Sequence, residues 1–133
     1  MEKLTRPVIA GNWKMHKTIS EARQLAAEIV SQAASLNQAS LILIPPFTAI
    51  QEVKKTVSGS RLLVGGQDLF WEEEGAFTGE ISARQIKEAG CDFVIVGHSE
   101  RRQYFGETDE TVKKKVLAAL RHELRPIVCI GEN

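Results

Sequence analysis

No stretch of this 133-residue sequence concentrates Lys and Arg into a basic surface: 17 Lys and Arg stand against 17 Asp and Glu, a formal net charge of zero. That balance argues against nucleic acid as a partner, since such a surface needs a basic stripe. Long apolar runs are missing too, and none approaches the length of a membrane span, so no membrane partner is expected. The opening Met1-Glu2-Lys3-Leu4-Thr5-Arg6 has no apolar signal core. Cysteine is scarce. Cys91 and Cys129 lie far apart, and no CxxC or Cys/His spacing suits a metal. Both sit in or beside apolar strands and read as reduced, buried thiols of a cytoplasmic protein. Repeats and linkers are also absent, so residues 1–133 are expected to form one domain with no internal boundary.

What is present is regular. Apolar residues at 43% and charged residues at 26% describe a globular chain long enough to bury a core. Val8–Gly11, Leu41–Ile44, Leu62–Val64, Phe93–Val96 and Ile127–Ile130 read as five short buried strands. Helical patterns separate them. Thr18 with Glu21 fits a capping box ahead of an apolar stripe through Ala22, Leu25, Ala26, Ile29, Val30 and Ala33. Thr48 with Gln51 repeats the signature, and Ser82 with Gln85 opens a short helix that ends at Gly90. Thr108 caps a helix with Val112, Val116 and Leu120 along one side, broken by Pro126. Lys113-Lys114-Lys115 in that helix reads as a solvated face.

Regular βαβα alternation predicts a parallel sheet with helices packed on it, an α/β fold. An open doubly wound sheet would announce a GxGxxG loop after its first strand. That position reads Gly11-Asn12-Trp13-Lys14 instead. In a (β/α)8 barrel, chemistry gathers just past several strand ends, where Asn12, Lys14, His98 and Glu100 all stand. Phe93-Val94-Ile95-Val96-Gly97-His98-Ser99-Glu100 shows the pattern best. The strand ends at Gly97, and a short helix starting at Ser99 would point its N-terminal dipole at the His98 ring, disfavouring protonation. A neutral imidazole there is a hydrogen-bond donor, and Lys14 supplies a cation for an oxygen that becomes negative. Trp13 reads as packing.

Four motifs stand in one order along the chain: Ala10-Gly11-Asn12-Trp13-Lys14-Met15, Gly75-Ala76-Phe77-Thr78-Gly79-Glu80, Val96-Gly97-His98-Ser99-Glu100-Arg101-Arg102 and Cys129-Ile130-Gly131-Glu132. In sequence and spacing they resemble the triosephosphate isomerase family. The resemblance implies the N-terminal portion of a (β/α)8 TIM barrel, about four βα units and a fifth strand. It also implies a cytoplasmic isomerase of glycolysis and gluconeogenesis. Such an enzyme interconverts dihydroxyacetone phosphate and glyceraldehyde 3-phosphate by proton transfer through an enediolate, with no metal and no organic cofactor. By the same resemblance Asn12 and Lys14 bind substrate, His98 is the catalytic electrophile, and Glu100 is the acid beside Lys14. A neutral histidine at a helix N-terminus is the known arrangement of that enzyme.

The long connection from Gln67 to Glu80 exceeds a usual βα link and reads as functional. In the family this loop inserts beside the first loop of a partner, so a homodimer or higher assembly is implied, with Met15, Phe77 and Thr78 at the interface. Phe70-Trp71 is apolar for a solvent-facing loop and agrees with burial against another chain. The family's catalytic glutamate, its lid and its phosphate loops correspond to positions beyond Asn133, so the chain by itself is expected to be inactive. Asp68, where the family more often has Asn, and Met15 are minor variations. A half barrel would leave strand edges and interior side chains exposed, inviting self-association. The competing expectation is a non-catalytic, self-associating half-barrel module, or a weak anion binder without turnover.

Overall fold

The computed structural model describes Met1 and residues 3–131. Glu132, the last residue of the fourth motif, and Asn133 lie outside the described residues. Five strands form one sheet in the order of the chain: β1 (Val8–Asn12), β2 (Ser40–Ile44), β3 (Leu63–Gly66), β4 (Phe93–Val96) and β5 (Arg125–Val128). Every neighbouring pair is parallel, so each connection must return over a face of the sheet. The returns are α1 (Ile19–Ala33), α2 (Ile50–Val57), α3 (Ala83–Glu88), α4 (Ser99–Tyr104) and α5 (Asp109–Arg121). This is the order of the first five strands of a TIM barrel, all parallel.

Local chemistry sets most boundaries. The Thr18–Glu21 box starts α1 and the Ser82–Gln85 box starts α3, each with reciprocal side-chain and backbone bonds. Thr108 caps α5. The expected Thr48–Gln51 cap is not made. Phe47–Ala49 forms a 3-10 turn after Pro45-Pro46, and α2 starts behind Ala49 with no side-chain cap. Pro45-Pro46 pre-sets the turn, so the helix no longer needs a hydroxyl to begin. Pro126 does not end α5, which closes at Arg121 with Glu123 at φ +56°. The proline stands inside edge strand β5, where a missing donor costs no ladder bond.

Two apolar layers flank the sheet. The outer one joins Ala22 and Ala26 of α1, Ile50, Val53 and Val57 of α2, and Val64, Val94 and Val96 of the strands. Trp13 packs on it, as its sequence context predicts. The inner layer is smaller: Ile42, Ile44, Phe93 and Ile95, with Leu63, Ile127 and Cys129 against them. Alternate strand residues feed the two layers, as a period of two requires.

Helix α5 corrects the sequence reading. Its buried residues are Val112, Lys115, Ala118 and Ala119, whereas Leu120 is 45% exposed. The three lysines therefore do not share one solvated face, because Lys115 lies a turn beyond Val112 on the packed side. Of the two thiols, Cys91 is buried, and loss of solvation pushes it up to about 12. Cys129 is only half-buried, since β5 has a neighbour on one side alone.

Candidate active site

The carboxyl ends of β1, β3 and β4 place five side chains together: Asn12, Lys14, Gln67, His98 and Glu100. Lys14 follows β1 by two residues and sits at φ +54°. For a residue with a Cβ this left-handed conformation costs of order 1–3 kcal/mol, so its neighbours must hold it. Asn12 Oδ1 accepts the Lys14 N–H at 2.9 Å. From β3, the Gln67 amide donates to the Lys14 carbonyl at 2.7 Å and to the Ile44 carbonyl at 3.2 Å. The lysine backbone is thus clamped from both sides, and its side chain is aimed across the strand ends.

Lys14 Nζ donates to Glu100 Oε1 at 2.5 Å. That bond holds the Glu100 carboxyl below the usual glutamate range, outweighing an opposing desolvation, and the Lys14 charge adds to it. Both partners are about half exposed, and an ion pair so wetted adds little to stability. Its consequence is placement: the ammonium stands over the turn between β4 and α4.

His98 is the residue before α4 and serves as its N-cap. Its Nδ1 accepts the Glu100 N–H at 3.1 Å, with Glu100 Oε2 at 3.7 Å. A nitrogen that accepts carries no proton, so the ring hydrogen belongs to Nε2, the atom facing away from the helix. The ring borders an open cleft of about 860 Å³ with Gly97, Ser99, Arg102, Cys129 and Gly131. An ammonium, an imidazole N–H and the Asn12 amide together form a set of donors suited to an oxygen that gains negative charge.

The four catalytic and binding residues expected from the sequence, Asn12, Lys14, His98 and Glu100, are therefore in one place. Gln67 carries no motif, yet it stands just past a strand end like Lys14 and His98. The interface candidates are presented outward. Met15 is 93% exposed, Phe77 is 41% exposed and Thr78 is exposed. Phe77 stacks on Phe70 with ring centroids 4.6 Å apart. Phe70 and Trp71 are half-buried within the chain itself. They stack at 4.2 Å, and Trp71 packs against the chain's own outer layer.

A second charged group lies behind the site. Lys115 Nζ reaches Asp68 Oδ1 at 2.9 Å and Glu107 Oε2 at 2.7 Å, all three side chains being buried. Arg101 Nε approaches Asp68 Oδ2 at 2.9 Å. Burial raises Asp68 despite both cations. Burial also pushes Glu107 upward, but bonds from Lys115 and Thr111 outweigh it and leave the group lowered. Asp68 is thus more than a minor variation: it joins the 67–80 loop to Arg101 of α4 and Lys115 of α5.

A family model described as triosephosphate isomerase matches residues 7–133. The triosephosphate isomerase of Thermoanaerobacter pseudethanolicus is 57% identical over 130 residues, which is 98% of this chain and 52% of that protein. That of Moorella thermoacetica is 56% identical over the same shares. A crystal structure of triosephosphate isomerase from Bartonella henselae superposes with a TM-score of 0.89 at 39% identity, over 96% of this chain and 53% of the other. The chain thus spans about half the length of the curated relatives it matches. With the family model over residues 7–133, the strand order, and the donors gathered at the strand ends, this chain belongs to the triosephosphate isomerase family.

Proposed function

We propose that this chain carries the substrate-polarising half of a triosephosphate isomerase site, acting on dihydroxyacetone phosphate and glyceraldehyde 3-phosphate. The observation that supports it best is the Lys14–Glu100 contact at 2.5 Å beside a His98 ring whose Nδ1 is already engaged. His98 Nε2–H donates to the substrate carbonyl as the enediolate forms. Lys14 neutralises the growing charge, and Asn12 binds beside it. Glu100 orients Lys14. We assign the general base to none of the acids in this chain, and general-base catalysis is worth ~10²–10⁴-fold. In the same reading the protein is cytoplasmic and pairs with a second copy through the 67–80 loop, with Met15, Phe77 and Thr78 at the contact.

A coupled isomerase assay tests this, run on the chain alone and after mixing with the remaining half of the Thermoanaerobacter relative. Turnover in the mixture, abolished by His98→Gln, is the expected result. Turnover from the chain alone would make Glu100 the first suspect for the base and overturn these roles. Saturable phosphate binding without turnover in either preparation would favour a weak anion binder.

A further inference from the structure

The turn that delivers His98 is held by a residue with no role so far. Gly97 has φ +73°, and it carries the peptide from β4 into α4. A Cβ there would meet Val112 Cγ2 at 2.8 Å and Arg102 Nη2 at 3.0 Å, so glycine alone lets the guanidinium lie against this backbone. Arg102 Nε donates to the Gly97 carbonyl at 2.9 Å. Its Nη1 donates to Asp109 Oδ1 at 2.8 Å, in the first turn of α5. One rigid fork thus ties the carbonyl just before His98 to the start of the next helix.

The two ends of that fork are unequal. The Asp109 side chain is 97% exposed, and so wet a pair contributes little. The bond to Gly97 is a charge-assisted one to a backbone carbonyl at the edge of the cleft, the stronger kind. The His98 ring is fixed on its helix side by the Glu100 N–H, which leaves the Gly97 peptide to set its height and tilt over the cleft.

We propose that Arg102 is a positioning residue for His98, acting through the Gly97 peptide; this rests on the reading of His98 as the electrophile. The test compares Arg102→Met, which keeps the stem and loses the fork, with Arg102→Lys and Asp109→Asn. Histidine-labelled 15N spectra of the chain read the ring directly. Besides the signals of His16 and His122, the wild type should give two well-separated ring-nitrogen signals for His98, identified by their absence in His98→Gln, one for each nitrogen of a single tautomer. Arg102→Met should draw them together as the ring begins to exchange, Arg102→Lys should fall between, and Asp109→Asn should match the wild type.

In the assay mixture described above, Arg102→Met should lower kcat by roughly 10²-fold with KM unchanged, the signature of a misplaced reacting group. Undisturbed ring signals and kcat in Arg102→Met would overturn the proposal, as would an Asp109→Asn variant equally impaired, since the surface pair would then be the cause. If Arg102→Met does not fold, wild-type signals and kcat in Arg102→Lys overturn it equally. His98→Gln separates the two readings: full turnover in that variant sinks the catalytic assignment, whereas its loss beside an intact Arg102→Met sinks only this one.

Discussion

Lys115 is the residue whose replacement should cost most. It lies 4% exposed between Asp68 and Glu107 and touches both acids more closely than Arg101, the other cation they share. Breaking a buried ionic group by removing one partner typically costs about 3–5 kcal/mol, so Lys115→Met should lose that much at pH 7. The loss should depend on pH in a definite direction. Without Lys115, burial holds Asp68 still further above its unfolded value, while Glu107 keeps only Thr111 and Arg101 against its own burial. The folded state then binds more protons than the unfolded one, and the deficit shrinks on going from neutral pH toward the carboxylate range. Urea unfolding at pH 7 and pH 5 measures this; an equal deficit at both would assign the loss to packing rather than charge. None of it is visible in the run Lys113-Lys114-Lys115, because three like residues in a row look alike until the helix phase is known. By contrast, the gathering of Asn12, Lys14, His98 and Glu100 was legible, since each lies at or just past a strand end that apolar patterning marks.

At the scale of elements, capping boxes should carry measurable stability. Ser82→Ala removes an acceptor from the Gln85 N–H at the start of α3, a helix of only six residues. A helix so short depends on its cap and its packing. The expected cost is about 1 kcal/mol, seen as a lower urea midpoint with an unchanged slope. Helix α2 gives the contrast: Thr48 makes no cap bond to α2, so Thr48→Ala is expected to leave the midpoint nearly where it was. Strands and helices were largely readable from the chain because period and caps agree there. Boundaries failed where proline acted twice, once by replacing a cap with a 3-10 turn at Pro45-Pro46 and once by tolerating an edge strand at Pro126. Proline's local meaning depends on which side of a sheet lies open, and that is a tertiary fact.

For the molecule as a whole, the sheet has two edges. β1 and β5 each pair on one side, with Ile9 59% exposed, Val128 42% exposed and Ile130 86% exposed. Open edges carrying apolar side chains pair with other chains. Gel filtration should therefore show the 14.7 kDa chain eluting ahead of its monomer position at micromolar concentration. Ile9→Lys should shift it back if the edge is responsible, and Met15→Lys if the outward loops are. A clean monomer on dilution, unaltered by either change, would contradict both. The two tryptophans add a practical point about watching this fold come apart. Trp13 and Trp71 both rest on the outer, helix-covered layer, and neither packs on Ile42, Ile44, Phe93 or Ile95. Indole emission is thus an optical probe of one side of the sheet. Loosening that begins on the other side would pass unseen in a fluorescence melt, and a lag between that melt and one followed by backbone circular dichroism would expose it.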